Sequence, residues 1–145
     1  MTIVLTSDHA GYDLKQALAE HAHKAGHTTI VVGAPTDHAY DYPDAADEAV
    51  PFILSKQADF GVFVCGTGTG ICIRANRHHG VRGASCTSVE LARLAREHND
   101  ANVLCLGART TPAPLAVEIL EAFLTTGASH EDRHKRRVAK LDGNV

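Results

Sequence analysis

Strand-like and helix-like segments alternate five times along these 145 residues, and that alternation leaves few folds open. Thr2 to Ser7 is a short apolar run. Tyr12 to Ala25 carries Leu14, Leu18 and Ala22 at helical spacing. Thr28 to Val32 is strand-like again and stops at Gly33. Asp44 to Lys56 puts Ala46, Ala49, Val50, Ile53 and Leu54 on one helical face, and Pro51 is expected to kink it. Phe60 to Val64 is the third strand, and Ile71 to Arg77 opens the next helix. Val81 to Ser85 reads as a strand, Ser88 to Glu97 as a helix and Asn102 to Leu106 as the fifth strand. Thr111 is expected to cap, and Pro112 to start, a helix running to about Thr125. Strands joined through helices must cross over, so the sheet is expected to be parallel. Glu131 to Leu141 reads as a further helix that need not join the core. No repeat or low-complexity linker interrupts the pattern, and residues 1–145 read as one domain.

Parallel α/β sheets hold ligands beyond the carboxyl ends of their strands, where strand order reverses. Asp8, His9 and Gly11 follow the first strand. Cys65, Gly66, Thr67 and Gly68 follow the third. Glu97, His98, Asn99 and Asp100 end the helix before the fifth strand, and Arg109 follows that strand. Alone, Asp8 reads as a helix N-cap, His98 and Asn99 as a polar helix end, and Arg109 as a loop charge. Together they are expected to meet at one crevice.

The stretch from Val64 to Asn76 carries the most chemistry. An apolar run ends in Cys65, and glycines recur at Gly66, Gly68 and Gly70 before a helical pattern begins. A glycine loop between strand and helix lets backbone N–H groups converge on an anion at the positive end of the helix. A phosphate cradle needs no thiol, whereas an acid/base catalyst beside a developing oxyanion does. The plainer reading is a nucleotide-phosphate loop with an incidental cysteine.

Net charge is −3, which argues against a general nucleic-acid surface. No apolar run is long enough to span a bilayer, and the N-terminus lacks the design of a signal peptide. Cys65, Cys72, Cys86 and Cys105 have no CxxC spacing and read as reduced thiols of a cytoplasmic protein, without a zinc site. Near the C-terminus, Arg133 and Arg137 lie four apart, with His130 and His134 alongside, a cationic stripe suited to a phosphate dianion.

Six motifs occur in order: Ser-Asp-His-Ala-Gly (Ser7 to Gly11), Asp-Tyr-Pro (Asp41 to Pro43), Cys-Gly-Thr-Gly-x-Gly (Cys65 to Gly70), Ala-Asn (Ala75, Asn76), His-Asn-Asp-x-Asn (His98 to Asn102) and Gly-x-Arg (Gly107 to Arg109). With the tail of Arg133, His134 and Arg137, they resemble the type B ribose-5-phosphate isomerases, a family that includes galactose-6-phosphate isomerase subunits. The resemblance covers essentially the whole chain. It implies a Rossmann-like α/β/α sandwich with a five-stranded parallel sheet and an extra C-terminal helix. It also implies a homodimer or homotetramer whose active site is shared between subunits, with one phosphate-binding cluster supplied by the partner.

The implied chemistry is an aldose–ketose isomerisation through a cis-enediolate, with no metal or organic cofactor. By resemblance, Cys65 carries the proton, Thr67 orients its thiolate, and the backbone N–H groups of residues 66 to 70, Gly66, Gly68 and Gly70 among them, hold the enediolate oxygen. His98 resembles the residue that opens the furanose ring, with Asp8 on a neighbouring hydroxyl. His9, Arg109, Arg133, His134 and Arg137 resemble the phosphate-binding set, and Tyr42 and Asn99 line the sugar site. Two positions depart from the family pattern. Arg74 stands where many relatives have a small residue, and Ile71 where one branch has a glutamate base, which leaves Cys65 as the base. The expected substrate is ribose 5-phosphate. A tetrulose 4-phosphate or hexose 6-phosphate, or non-catalytic binding of a sugar phosphate, are the alternatives.

Overall fold

The computed structural model describes residues Met1 to Gly143. Five strands and six helices follow in the order β1 (Thr2–Ser7), α1 (Tyr12–Lys24), β2 (Thr28–Val31), α2 (Tyr42–Leu54), β3 (Phe60–Cys65), α3 (Thr69–Ala75), β4 (Gly83–Ser85), α4 (Val89–Asn99), β5 (Val103–Gly107), α5 (Ala113–Thr125) and α6 (Asp132–Leu141). The strands form one parallel sheet in the order β2-β1-β3-β5-β4.

Alternation along the buried strands divides the core into two layers. Ile3, Leu5, Val62, Val64, Leu104 and Leu106 face α1, α4 and α5. Val4, Phe63, Cys65, Val103 and Cys105 face α2 and α3. That alternation aims the Cys65 side chain at the α2/α3 layer. The chain leaves β1 towards β2, then returns past β1 to reach β3. Strand order therefore reverses between β1 and β3, where Ser7 pairs with Val64. Asp8 and Cys65 stand at the carboxyl end of that junction.

Several ends differ from the sequence reading, each for a local reason. α2 starts at Tyr42, earlier than Asp44, because Asp41 is extended and Pro43 is preset for a first helical turn. Pro51 lies inside α2. Thr111 does not cap α5. The N-cap is Pro112, without a side-chain cap bond, and the Thr111 N–H is turned back onto the Gly107 carbonyl at 2.9 Å. β4 shrinks to Gly83–Ser85, because the residue before it is tied to Asn102 rather than extended along the ladder. α6 does dock, burying His134. His130 precedes that helix rather than joining its stripe. Among the described residues, no helix is long and apolar enough to cross a membrane.

Candidate active site

Cys65 ends β3 almost fully enclosed, 3% exposed. The backbone N–H of Gly68 donates to its Sγ at 3.2 Å. That contact depends on glycine. Gly68 has φ +80°, and a Cβ there would sit 2.9 Å from the Leu106 carbonyl carbon. The loop is thus pressed onto the end of β5 while one amide points back at the sulfur. The exposed hydroxyl of Thr67 accepts from the Thr69 N–H at 3.4 Å. Among the described residues, nothing accepts from the N–H groups of Gly66 and Thr67.

Other groups close round this loop. Arg109 is exposed, and its guanidinium lies over Gly66, where a Cβ would be 3.0 Å from Nη1. The Tyr42 ring lies against Gly70, where a Cβ would be 2.7 Å from Cζ. Asp8 is buried, and its Oδ1 accepts from Gly11 N–H at 3.0 Å. It therefore shapes the turn into α1 without capping the helix. His9 Nδ1 lies 3.2 Å from the Tyr40 N–H and 3.1 Å from the Tyr40 carbonyl. The ring nitrogen can accept from the first or, carrying a hydrogen, donate to the second. Tyr40 is itself pinned through its hydroxyl, which donates to Glu48 of α2. Sequence reasoning missed Tyr40 and Glu48, since no local pattern links them to His9.

The second group of expected residues stands elsewhere. α4 runs from the end of β4 to the start of β5, antiparallel to the strands. Its carboxyl end delivers the chain to Val103, which pairs with Gly61 and Gly83 at the amino edge of the sheet. His98 and Asn99 therefore lie at the opposite edge of the sheet from Cys65 in the same chain. The expectation of a single crevice within one chain is corrected by strand direction. The His98 ring stacks on that of His134, centroids 4.4 Å apart and planes 7° from parallel. A cavity of about 410 Å³ adjoins the stack, lined among others by His130 and Lys135. Arg133 and Arg137 lie on the exposed face of α6. Arg133 Nε meets Glu131 Oε2 at 2.7 Å, with both side chains more than half exposed, a pairing worth little in water.

Arg74 lines a cavity of about 230 Å³ together with Tyr42 and Gly70 of the loop. Its Nε and Nη2 both donate to Asp47 at 2.8 Å, and His78 Nε2 lies 2.8 Å from the same carboxylate. These contacts clamp α3 to α2. Cys86 and Cys105 are core thiols, while Cys72 is only partly buried. The hydrogen bond with Cys72, then burial, holds the Cys105 thiol well above its ordinary value, and burial pushes Cys86 up to about 11. Among the described residues, no three His, Cys, Asp or Glu side chains are grouped to hold a metal ion.

Fold and site define a class: three-layer α/β proteins with a thiol at a glycine loop on the reversal point of a parallel sheet. The sequence profile described as Ribose/Galactose Isomerase matches residues 3–141. The chain belongs to that family. It is 40% identical to ribose-5-phosphate isomerase B of Mycobacterium leprae over 139 residues, covering 95% of this chain and 86% of the relative. It superposes on ribose-5-phosphate isomerase B of Clostridium thermocellum with a TM-score of 0.96 at 40% identity, covering 99% of this chain and 96% of the other. A ribose 5-phosphate isomerase of Thermotoga maritima gives a TM-score of 0.95 at 42% identity, covering 98% and 97%.

Proposed function

We propose that this chain interconverts an aldose phosphate and its ketose, with ribose 5-phosphate and ribulose 5-phosphate as the pair, at a site shared by two copies. The observation that carries the reading is the enclosed Cys65 sulfur, met by the Gly68 N–H and overlain by the loop that Arg109 covers. Cys65 takes the proton from carbon 2 of the open-chain aldose as the carbonyl at carbon 1 becomes an enediolate oxygen. The hydroxyl proton passes from the carbon 2 oxygen to the carbon 1 oxygen, and the same thiol returns its proton to carbon 1, leaving the ketose carbonyl at carbon 2. The unpartnered N–H groups of Gly66 and Thr67 stabilise the oxyanion at no reorganisation cost. Tyr42 and Asp8 line the sugar side, with one Asp8 oxygen left over for a hydroxyl. Arg109 supplies a cation on the same edge, and His9 a hydrogen-bonding ring.

His98, Asn99, Arg133, His134 and Arg137 lie at the other edge and serve the site of a partner copy. A two-fold dimer then completes two sites at once. In that arrangement His98 opens the furanose ring, and the α6 arginines hold the phosphate through charge-assisted bonds. The reaction needs no redox partner: a carbon-bound proton and a hydroxyl proton each change places, and no electron leaves the substrate.

The test is a rate panel of aldose phosphates with four, five and six carbons, run on the wild type and on Cys65→Ala. The five-carbon substrate is expected to be fastest, and the variant to lose about a hundred- to ten-thousandfold in turnover while still binding phosphate. Turnover near the wild-type value in Cys65→Ala would remove the cysteine as base. Binding without turnover on any substrate by the wild type would leave a non-catalytic sugar-phosphate binder. Sharing of the site is read separately, by co-expressing Cys65→Ala with Arg137→Ala. Hybrid dimers are expected to regain activity, because one of their two sites holds both intact residues. Proven hybrids without activity would place both residues in one chain's site.

A further inference from the structure

His98 and Asn99 sit at the end of α4, while Arg133, His134 and Arg137 sit on α6, a helix that buries only His134. One guanidinium joins the two elements. Arg82, at the entrance to β4, donates through Nε to the Asp100 carbonyl at 3.0 Å and through Nη2 to Asp100 Oδ2 at 3.3 Å. Its Nη1 donates to both carboxylate oxygens of Asp142, at 3.0 and 2.9 Å. Asp100 directly follows Asn99 as the C-cap of α4, in a left-handed conformation with φ 45°. Asp142 is the C-cap of α6. The Arg82 side chain is only 18% exposed. Its own backbone is fixed on both sides by Asn102, whose Oδ1 accepts from the Arg82 N–H at 2.8 Å and whose N–H donates to the Arg82 carbonyl at 3.0 Å.

We infer that Arg82 is a positioning residue that holds α4 and α6 in the single arrangement needed to present the second half of the site. The inference rests on the proposed function, because the half-site matters only if a partner's ligand reaches it. Without the Asp142 contact, α6 is pinned mainly by the His134 stack in its first turn. The free end lies about 12 Å further along the axis, eight residues on. Rotation about the stack would sweep Arg137 away from a phosphate. A planar fork of five donors can serve two acceptors at a fixed angle, whereas an ammonium is a point charge and cannot. The pair is only 18% and 21% exposed, so removing a partner outright would cost stability; Asp142→Asn keeps an acceptor oxygen for Arg82, so its effect falls on geometry more than on folding.

The experiment compares Asp142→Asn, Asp142→Glu, Arg82→Lys and the double variant Arg82→Lys with Asp142→Asn, all in the full chain. It measures steady-state rates on ribose 5-phosphate, competitive inhibition by inorganic phosphate, and amide hydrogen exchange over residues 131–141. Asp142→Asn is expected to raise KM and the phosphate inhibition constant together by about three- to thirtyfold, the range for groups in direct contact. Its kcat should stay within about twofold, since the reacting carbons are remote from α6. Amide exchange over α6 should quicken, and Asp142→Glu should restore both readouts. Arg82→Lys should show the same rise in KM with kcat nearly kept, because Arg96 Nη1 still holds Asp100 Oδ1 at 2.7 Å and with it the end of α4 that carries His98. The double variant should be no worse than Arg82→Lys alone. Wild-type KM and phosphate inhibition in Asp142→Asn, or effects that simply add in the double variant, would overturn the assignment. If the wild type isomerises no sugar phosphate, the functional reading fails while the exchange measurement still decides the anchor: unchanged α6 exchange in Asp142→Asn rejects it.

Discussion

Replacing Gly68 with alanine separates two things that the loop does, and Gly26 supplies the control. Gly68 has φ +80°, and Gly26, in the turn after α1, has φ +92°. A left-handed backbone costs an L-residue about 1–2 kcal/mol at either position. A Cβ on Gly26 would meet nothing within 4 Å, so Gly26→Ala measures that strain alone. A Cβ on Gly68 would lie 2.9 Å from Leu106 C and 3.1 Å from Gly107 N. Both are backbone atoms of a fully buried strand and cannot step aside. The overlap adds about 1–3 kcal/mol, the usual range for overpacking, or the loop shifts by a few tenths of an ångström. Urea denaturation of the two variants should therefore differ by about that amount, which corresponds to roughly 3–9 °C in Tm for a chain of this length. Any shift also carries the Gly68 N–H away from Cys65 Sγ, now 3.2 Å distant. Turnover of Gly68→Ala should fall by about a hundredfold, and that of Gly26→Ala should match the wild type. If the two variants were equally stable and equally active, contact with β5 would not be what holds the loop.

Gly70→Ala should behave in the opposite sense. Its Cβ would strike the far end of the half-exposed Tyr42 ring, which can swing outwards, so stability should hold or rise by up to about 1 kcal/mol from helix propensity, while KM increases; an unchanged KM would show that the ring position is irrelevant to binding. Asp47→Asn should lower Tm at neutral pH. The Arg74 hydrogen bond, foremost, holds this carboxyl below its ordinary 3.8. A depressed folded pKa adds stability that is present above the unfolded value and lost as pH falls through the folded one. The gap from wild type should therefore close as the pH is taken below 3.8, and a gap that persisted in acid would refute the pairing. Lys15 is 1% exposed, and its Nζ donates to the Val32 and Ala34 carbonyls at 3.0 and 2.7 Å. Burial lowers its pKa from 10.5, with Glu48 opposing. The folded state then sheds its proton first, so wild-type stability should climb with pH through the window below 10.5. Lys15→Met should lack that climb in urea melts at stepped pH, and parallel profiles would refute the burial argument.

What could be read from the sequence was local. Short apolar runs, and stripes with period 3.6, marked every strand and helix within a few residues, because each element answers to its own spacing before it meets a neighbour. Cys65, Gly66, Gly68 and Gly70 were legible for the same reason: strand end, thiol and glycines are contiguous, and a glycine loop after a parallel strand has few structures open to it. The ends that moved, at Tyr42 and Pro112, moved because single residues, one in an extended N-cap and one proline, decide where a helix begins. The placement of His98 was not legible. Its distance from Cys65 depends on which way α4 runs relative to the sheet, and that direction is set by the pairing of Val103 with Gly61, 42 residues apart. The anchor at Arg82 was equally hidden, since its acceptors lie 18 and 60 residues away. The charge of Arg74 was visible, but its partner Asp47, 27 residues earlier, was not. Periodicity tells a segment which face to bury. Which distant side chains then stand within 3 Å of one another is decided only when the sheet closes its order and each helix is forced onto one face and one direction.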